Sequence, residues 1–335
     1  MKALIRADAS VQIGMGHRVR CEALKQAFES LGWHCQFVIH QDYQGFSASD
    51  DLIIEDESEF LDLATNVDLV VIDHYQYLPD MIEQVYRQQA HLLVLDDMND
   101  RGGFPCQWLL NPLHEAYSAK VKQALLGSQY ALLRPSFAQA HLQAKATSSH
   151  TGKLLITLGG TDPLALTLPI VSRLLEQGVE SAKLQVLLGK NASNAEAVIR
   201  FCQQHNIAFA QGVKDVTPLM LDASMAISAA GGTLFELACL GVPTVFAQVA
   251  DNQTRSLEQH VPLAWCDTVR FDNLESQEVP QALQQLVNKV LNYWSCPSWQ
   301  QAAKACAQQL VDGHGAQRVA SLIDQQILAE VQKPA

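Results

Sequence analysis

SAAGGTLFELACLGVP, residues 228–243, reads as a strand end, a small-residue turn, a helix and a Gly-Val-Pro stop. A strand that runs through a glycine turn straight into a helix is the building unit of parallel α/β sheets. The amides of Gly231, Gly232 and Thr233 open this helix, where N–H groups and the helix dipole suit a diphosphate. Glu236, one turn in, is placed to accept hydrogen bonds from ribose hydroxyls. A second reading stands beside this one. Thr233 and Glu236 have the T-x-x-E spacing of a capping box, in which the carboxylate only satisfies the helix start. The residues alone leave both open.

Outward from this stretch, short non-alternating apolar runs alternate with helical stretches in both directions. On the near side of the polar stretch KATSSHTGK (145–153), the predicted strands are 153–160, 183–189, 207–212, 225–231 and 243–249. On its far side they are 3–8, 35–40, 69–73, 91–97, 107–111 and 130–135. The clearest helix runs over about 17–31, where Leu24, Ala27, Phe28 and Leu31 follow the i, i+3, i+4, i+7 rule. From Gln277 onward the chain reads as helices, broken near Cys296 and Pro297 and again at DGHG. Apolar strands joined by helices imply parallel sheets buried on both faces. The expectation is therefore α/β: two Rossmann-like, doubly wound domains, 1–148 and 149–335, facing across a cleft. Ligands would lie at the carboxyl ends of the strands.

Bulk properties narrow the function. The 335 residues exceed what one core usually serves, which favours two domains. An apolar content of 48% with 17% charged residues excludes a disordered chain. A net charge of −12 argues against nucleic-acid and anionic-membrane partners. The eight cysteines include no C-x-x-C pair and lie mostly in apolar runs, so reduced core residues are expected. No apolar run nears the roughly 20 residues that span a bilayer. MKALIRADAS lacks the apolar segment of a secretory leader. A cytoplasmic monomer is the expectation.

Several other segments end strands with polar or glycine residues. DASVQIGMGHRVRC (8–21) places Gly14 and Gly16 before a helix, with His17 at its start. The positive helix end disfavours imidazolium, so a neutral His17 able to accept a proton is one reading; a packed or capping histidine is the other. The loop lacks full G-x-G-x-x-G spacing, so a dinucleotide fingerprint is not supported. LITLGGTDP (155–163) repeats the strand–turn–helix plan at Gly160, which taken alone is a tight turn. VIDHY puts Asp73, His74 and Tyr75, and VLDDM puts Asp96 and Asp97, where such folds carry function; Asp is also a common helix cap, and for each residue a structural role is slightly favoured. VADNQ supplies Asn252 and Gln253, uncharged groups suited to sugar hydroxyls or amides. G-x-S-x-G, H-E-x-x-H and a P-loop lysine are all missing, and no convincing metal-ligand cluster is seen.

In their order, RADASVQIGMGHRVRCEAL, VVIDHY, LVLDDM, YALLRPSF, LITLGGTDP, AISAAGGTLFELACLGVPT, ADNQ and DGHGAQRV span residues 5 to about 319. Together they resemble the UDP-2,4-diacetamido-2,4,6-trideoxy-β-L-altropyranose hydrolases of pseudaminic acid biosynthesis, a group similar to MurG-type glycosyltransferases of GT-B fold. The resemblance implies that His17 is a general base activating a water against the anomeric carbon, with UDP leaving and the configuration inverting. It implies a UDP-sugar substrate, with the 228–233 loop, Ser228, Gly231, Gly232 and Thr233 included, on the diphosphate and Glu236 on the ribose. Asp73, Tyr75, Asn252 and Gln253 would face the sugar; Gly14, Gly16 and Gly160 complete the substrate-binding set. No cofactor and no metal are implied. Two alternatives remain: a MurG-type glycosyltransferase, and a non-catalytic UDP-sugar-binding protein. The acidic segment 49–62 is left without a role.

Overall fold

The computed structural model describes residues 1–10, 15–118, 120–146 and 152–332. Gly14 and most of the 145–153 stretch therefore lie outside the described residues. The chain forms two compact units, Met1–Pro135 with Gly313–Ala335, and Ser136–Asp312.

Among the described residues the first unit holds a seven-stranded sheet of β1 (Lys2–Arg6), β2 (His34–His40), β3 (Leu52–Ile54), β4 (Leu69–Ile72), β5 (Leu92–Leu95), β6 (Cys106–Asn111) and β7 (Val121–Leu126). The order is β3-β2-β1-β4-β5-β6-β7, and the paired strands run parallel. Helices α1 (Gly16–Ser30), α2 (Glu57–Ala64) and α3 (Pro79–Gln88) provide crossovers. The period-2 strand geometry sorts the apolar residues to two faces. Ala3 and Ile5 pack with Cys21, Leu24 and Phe28 of α1 and with Val319 and Ile323 of the C-terminal helix, Gly315–Val331. Leu4, between them, packs on the opposite face with Phe60, Ala64, Ile82 and Val85 of α2 and α3. Burial on both faces explains why β4 reads as the unbroken run LVVI, fully buried.

The C-terminal helix belongs to the first unit because its apolar stripe fills the same cluster as α1. Trp33 Nε1 donates to Asp324 Oδ1 at 2.8 Å, and Trp108 Nε1 donates to Gln326 Oε1 at 2.7 Å. The chain thus enters the second unit after Pro135 and leaves it before Gly313.

The second unit contains α4 (Ser136–Ala146), β8 (Lys153–Thr157), α5 (Thr167–Glu176), β9 (Leu184–Leu188), α6 (Ala195–Gln204), β10 (Ala208–Gln211), α7 (Thr217–Leu221), β11 (Ala223–Ala229), α8 (Thr233–Leu240), β12 (Thr244–Gln248), α9 (Thr254–His260), β13 (Cys266–Arg270), α10 (Val279–Trp294) and α11 (Pro297–Leu310). Its parallel sheet has the order β10-β9-β8-β11-β12-β13. One face packs Leu154, Ile156 and Ile227 against Ile170, Leu174, Val198, Leu286 and Val290. Gly241, at φ +66° after α8, ends that helix in the left-handed region; a Cβ there would also fall 2.6 Å from Gln308 Cγ.

One expected strand is absent. Residues 130–135 form no strand; Ser128–Tyr130 is a 3₁₀ turn, and Leu132 and Leu133 are buried in an unpaired connection. The outer strand is β7 instead, pairing with β6. As an edge strand it leaves Lys122 exposed and only Leu125 buried, so its apolar signal is weak.

Candidate functional site

In the first unit the strand order reverses direction at β1 and β4, where Arg6 pairs with Ile72. Such a switch point opens a crevice at the strand carboxyl ends. His17 enters it from the start of α1, whose N-cap residue Met15 makes no side-chain cap bond. Asp73 enters it from the residue after β4. Nδ1 of His17 lies 2.6 Å from Asp73 Oδ1 and 3.1 Å from the Asp73 carbonyl oxygen. The Tyr75 ring meets the imidazole edge-on, with centroids 4.4 Å apart. His17 is nearly enclosed, its side chain only 6% exposed, and its Nε2 makes no hydrogen bond among the described residues.

The Asp73 carboxylate is saturated. Arg20 donates to it twice, Nε to Oδ2 and Nη2 to Oδ1, each at 2.6 Å, and Cys21 Sγ lies 3.3 Å from Oδ2. Arg20 Nη1 continues to Asp97 Oδ2 at 2.7 Å. Burial works to raise the Asp73 carboxyl, but Arg20 and His17 outweigh it and hold the group well below the usual carboxylate range. Burial, with Asp73 adding to it, pushes the Cys21 thiol far up, so it stays a neutral packing group.

A second buried network adjoins at β1. Asp8 takes His74 Nε2 at 2.9 Å and Arg6 Nη1 at 2.6 Å, and Arg6 also pairs with Glu57 at 2.6 Å. Glu57 accepts from the Tyr77 hydroxyl. Arg18 is held bidentately by Asp51 at 2.6 and 2.9 Å, its guanidinium 3.7 Å above the Phe37 ring. The acidic 49–62 segment thus supplies counter-ions: Asp51 for Arg18, and Glu57, at the start of a helix capped by Asp56, for Arg6.

In the second unit the switch point lies between β8 and β11, where Ser228 pairs with Thr157. Gly160 follows β8, and Gly231 and Gly232 follow β11, all at strand carboxyl ends. A Cβ at Gly160, Gly231 or Gly232 would meet no atom within 4 Å, and none has a positive φ. Neither internal packing nor backbone conformation therefore calls for glycine at 231 and 232; a ligand approaching the backbone would. Gly189 does need to be glycine, since its Cβ would fall 2.1 Å from Gly160 O. Helix α8 begins from Gly232, whose carbonyl accepts from Phe235 N at 3.1 Å. Thr233 is then the first helical residue and not the cap, so the T-x-x-E capping box does not form. Among the described residues no three His, Cys, Asp or Glu side chains cluster as metal ligands would, and no helix is long and apolar enough to cross a membrane.

No protein-family model matches the chain. An uncharacterized protein of Methanocaldococcus jannaschii is 24% identical over 274 residues, covering 73% of this chain and 55% of that protein. The pseudaminic acid cytidylyltransferase and UDP-2,4-diacetamido-2,4,6-trideoxy-β-L-altropyranose hydrolase of Helicobacter pylori is 24% identical over 260 residues, 76% of this chain and 45% of its own length. The chain thus spans about half the length of these two relatives. The UDP-2,4-diacetamido-2,4,6-trideoxy-β-L-altropyranose hydrolase of Campylobacter jejuni is 25% identical over 223 residues, 62% of this chain and 76% of that one. The chain is similar to the altropyranose hydrolases. Among solved structures, MurG of Acinetobacter baumannii matches with a TM-score of 0.65 at 14% identity, covering 97% of this chain and 99% of that one. A Streptomyces glycosyltransferase complexed with thymidine diphosphate matches with a TM-score of 0.58 at 13% identity, over 97% and 99%. The two-domain α/β fold is that of the GT-B glycosyltransferases.

Set against the hydrolase resemblance, the expected site residues fall into two groups. His17, Gly16, Asp73 and Tyr75 come together in the first unit. Gly160, Gly231, Gly232, Thr233 and Glu236 lie at the second unit's switch point, with the first four residues at turns or at the start of α8. Three residues are placed otherwise than the resemblance implies at first sight. Ser228 is fully buried inside β11, its hydroxyl bonded to the Ala229 carbonyl at 3.1 Å. Gln253 spends its Oε1 on Val249 N at 3.0 Å, bracing the turn after β12, while its neighbour Asn252 is exposed. Asp73 is 1% exposed and turned onto His17. The sequence reading missed Arg20, although the H-x-x-R spacing of GHRVRC implies proximity: His17 and Arg20 are three apart on α1 and share a face.

Proposed function

We propose that the chain hydrolyses a UDP-linked 2,4-diacetamido-2,4,6-trideoxy hexose to UDP and the free sugar, with inversion. The observation that carries this reading is His17, at the switch point of the first unit, with Nδ1 held by a carboxylate and Nε2 unclaimed among the described residues. A carboxylate accepts only, so Nδ1 carries a proton, and in the neutral ring Nε2 keeps its lone pair. Nε2 takes a proton from water as the water oxygen bonds to C1. The bond from C1 to the phosphate oxygen breaks, and its electron pair leaves with UDP. The amides at 231–233 offset the charge that develops on the diphosphate, so the leaving group needs no general acid. Glu236 takes the ribose. The similarity to the altropyranose hydrolases supports the choice of substrate class.

The test is incubation of the purified protein with candidate UDP-diacetamido sugars, following the anomeric proton by NMR. Free sugar of inverted configuration is expected. His17→Ala should lose turnover by roughly 10²–10⁴-fold with UDP binding retained; a variant that keeps most of its activity refutes the assignment.

The fold favours a second reading, a GT-B glycosyltransferase that uses a hydroxyl acceptor in place of water. UDP release without added acceptor separates the two. A protein that only binds UDP-sugars would show no turnover and unchanged binding in His17→Ala.

A further inference from the structure

We propose that Asp73 is a positioning residue, which fixes the tautomer and aim of His17 and is itself locked by Arg20. The proposal rests on His17 acting as the base.

The resemblance would have Asp73 face the sugar. Its geometry points elsewhere. Each carboxylate oxygen is engaged: Oδ1 with His17 Nδ1 and Arg20 Nη2, Oδ2 with Arg20 Nε and Cys21 Sγ. With 1% of the residue exposed, no oxygen is left over for a ligand. The contact with Nδ1 is the short, charge-assisted kind that orients an imidazole and, in the neutral ring, leaves the lone pair on Nε2. When Nε2 takes the water proton, the imidazolium retains Nδ1–H and Asp73 stays an anion beside it. The proton does not move on to the carboxylate.

Arg20 supplies the rigidity. Its fork grips both oxygens of Asp73, sharing Oδ1 with His17, and its third nitrogen is tied to Asp97, the second residue past β5. One arginine on α1 therefore fixes carboxylates at the ends of β4 and β5. The Tyr75 ring packs T-shaped against the imidazole, and its hydroxyl reaches Asp97 at 3.4 Å. A bidentate guanidinium holds a carboxylate in one plane, which a lysine ammonium would not. Oδ1 accepts from both Arg20 Nη2 and His17 Nδ1, and Arg20 keeps Asp73 ionised.

The experiment is ring ¹⁵N NMR of the labelled full chain at neutral pH, with His17 assigned by its loss in His17→Ala, alongside turnover of UDP-2,4-diacetamido-2,4,6-trideoxy-β-L-altropyranose. The wild-type chain should show His17 protonated at Nδ1 with a bare Nε2. In Asp73→Asn the side-chain amide can donate to Nδ1, so the proton should shift to Nε2 and kcat should fall roughly 10²–10⁴-fold with KM little changed. Asp97→Asn, which loosens Arg20 without touching His17, should keep the Nδ1–H form; a purely structural role would make the two variants alike. A wild-type His17 protonated at Nε2 overturns the proposal, and this spectrum needs no variant to fold. Full activity in Asp73→Asn with none in His17→Ala also overturns it, leaving the base in place. Full activity in His17→Ala overturns the base assignment itself.

Discussion

Asp8 receives His74 Nε2 at 2.9 Å on one oxygen and Arg6 Nη1 at 2.6 Å on the other, inside the first unit. Burial works to raise this carboxyl, but hydrogen bonds and charges from His74 and Arg6 outweigh it and hold it at about 2, against 3.8. A depressed folded-state value stabilises the fold above the unfolded value, and that stabilisation is lost as pH falls through the folded one. Asp8 should therefore cost the protein roughly 2 kcal/mol between about pH 4 and pH 2. Asp8→Asn should flatten that part of the curve, although Asp73 and Glu57, also held low, keep their own shares. Urea denaturation at a series of pH values measures this, and an unaltered acid limb in the variant would refute it.

Asp51→Ala should destabilise the protein by about 3 kcal/mol, because it strands a largely buried guanidinium. The Asp51 side chain is 1% exposed and Arg18 is 12% exposed, so solvent cannot replace the lost partner cheaply. Thermal or urea unfolding decides the matter. A loss below about 1 kcal/mol would class the pair with ordinary surface bridges.

Gly231→Ala should leave the fold intact. The position has ordinary φ and open space for a Cβ, so stability should be unchanged or higher by up to about 1 kcal/mol. UDP binding should weaken at least about tenfold, or about 1.4 kcal/mol, as the methyl group enters the diphosphate's space. Calorimetric titration with UDP alone is sufficient. Undiminished affinity would remove the turn after β11 from the site.

Ile323→Ala, in the C-terminal helix, should cost about 2–5 kcal/mol. The side chain is fully buried among residues of β1, β2 and α1. Hydrogen exchange should quicken in those elements and not in β8, β9 and β11. Uniform loosening of both units would contradict the division of the chain.

The sheets were legible because their strands are buried on both faces: LVVI at β4 and LLVL at β5 contain nothing but apolar residues. The misplaced strand at 130–135 shows the converse, since buried leucines in a connection look like a strand and the half-exposed β7 does not. The position of His17 at a helix start was legible from Gly16 and the apolar spacing that follows. Its partner was not. Asp73 stands 56 residues away, and only the pairing of β1 with β4 brings the two together. The same holds for Asp51 and Glu57. Their sequence shows an acidic run, and ion pairing across 33 and 51 residues turns it into two specific counter-ions. The capping-box alternative failed for a local reason: the first helical hydrogen bonds start one residue earlier than the T-x-x-E spacing requires.

The return of the C-terminal helix to the first unit has a consequence for biosynthesis. The groove lined by Leu24, Phe28 and Trp33 cannot be filled until Gly315–Val331 has left the ribosome. At about 5–20 residues per second, making 136–312 takes roughly ten to forty seconds. Throughout that interval the nascent amino-terminal half carries an uncovered apolar trough. The second unit, whose segments are contiguous, can mature first although it is made later.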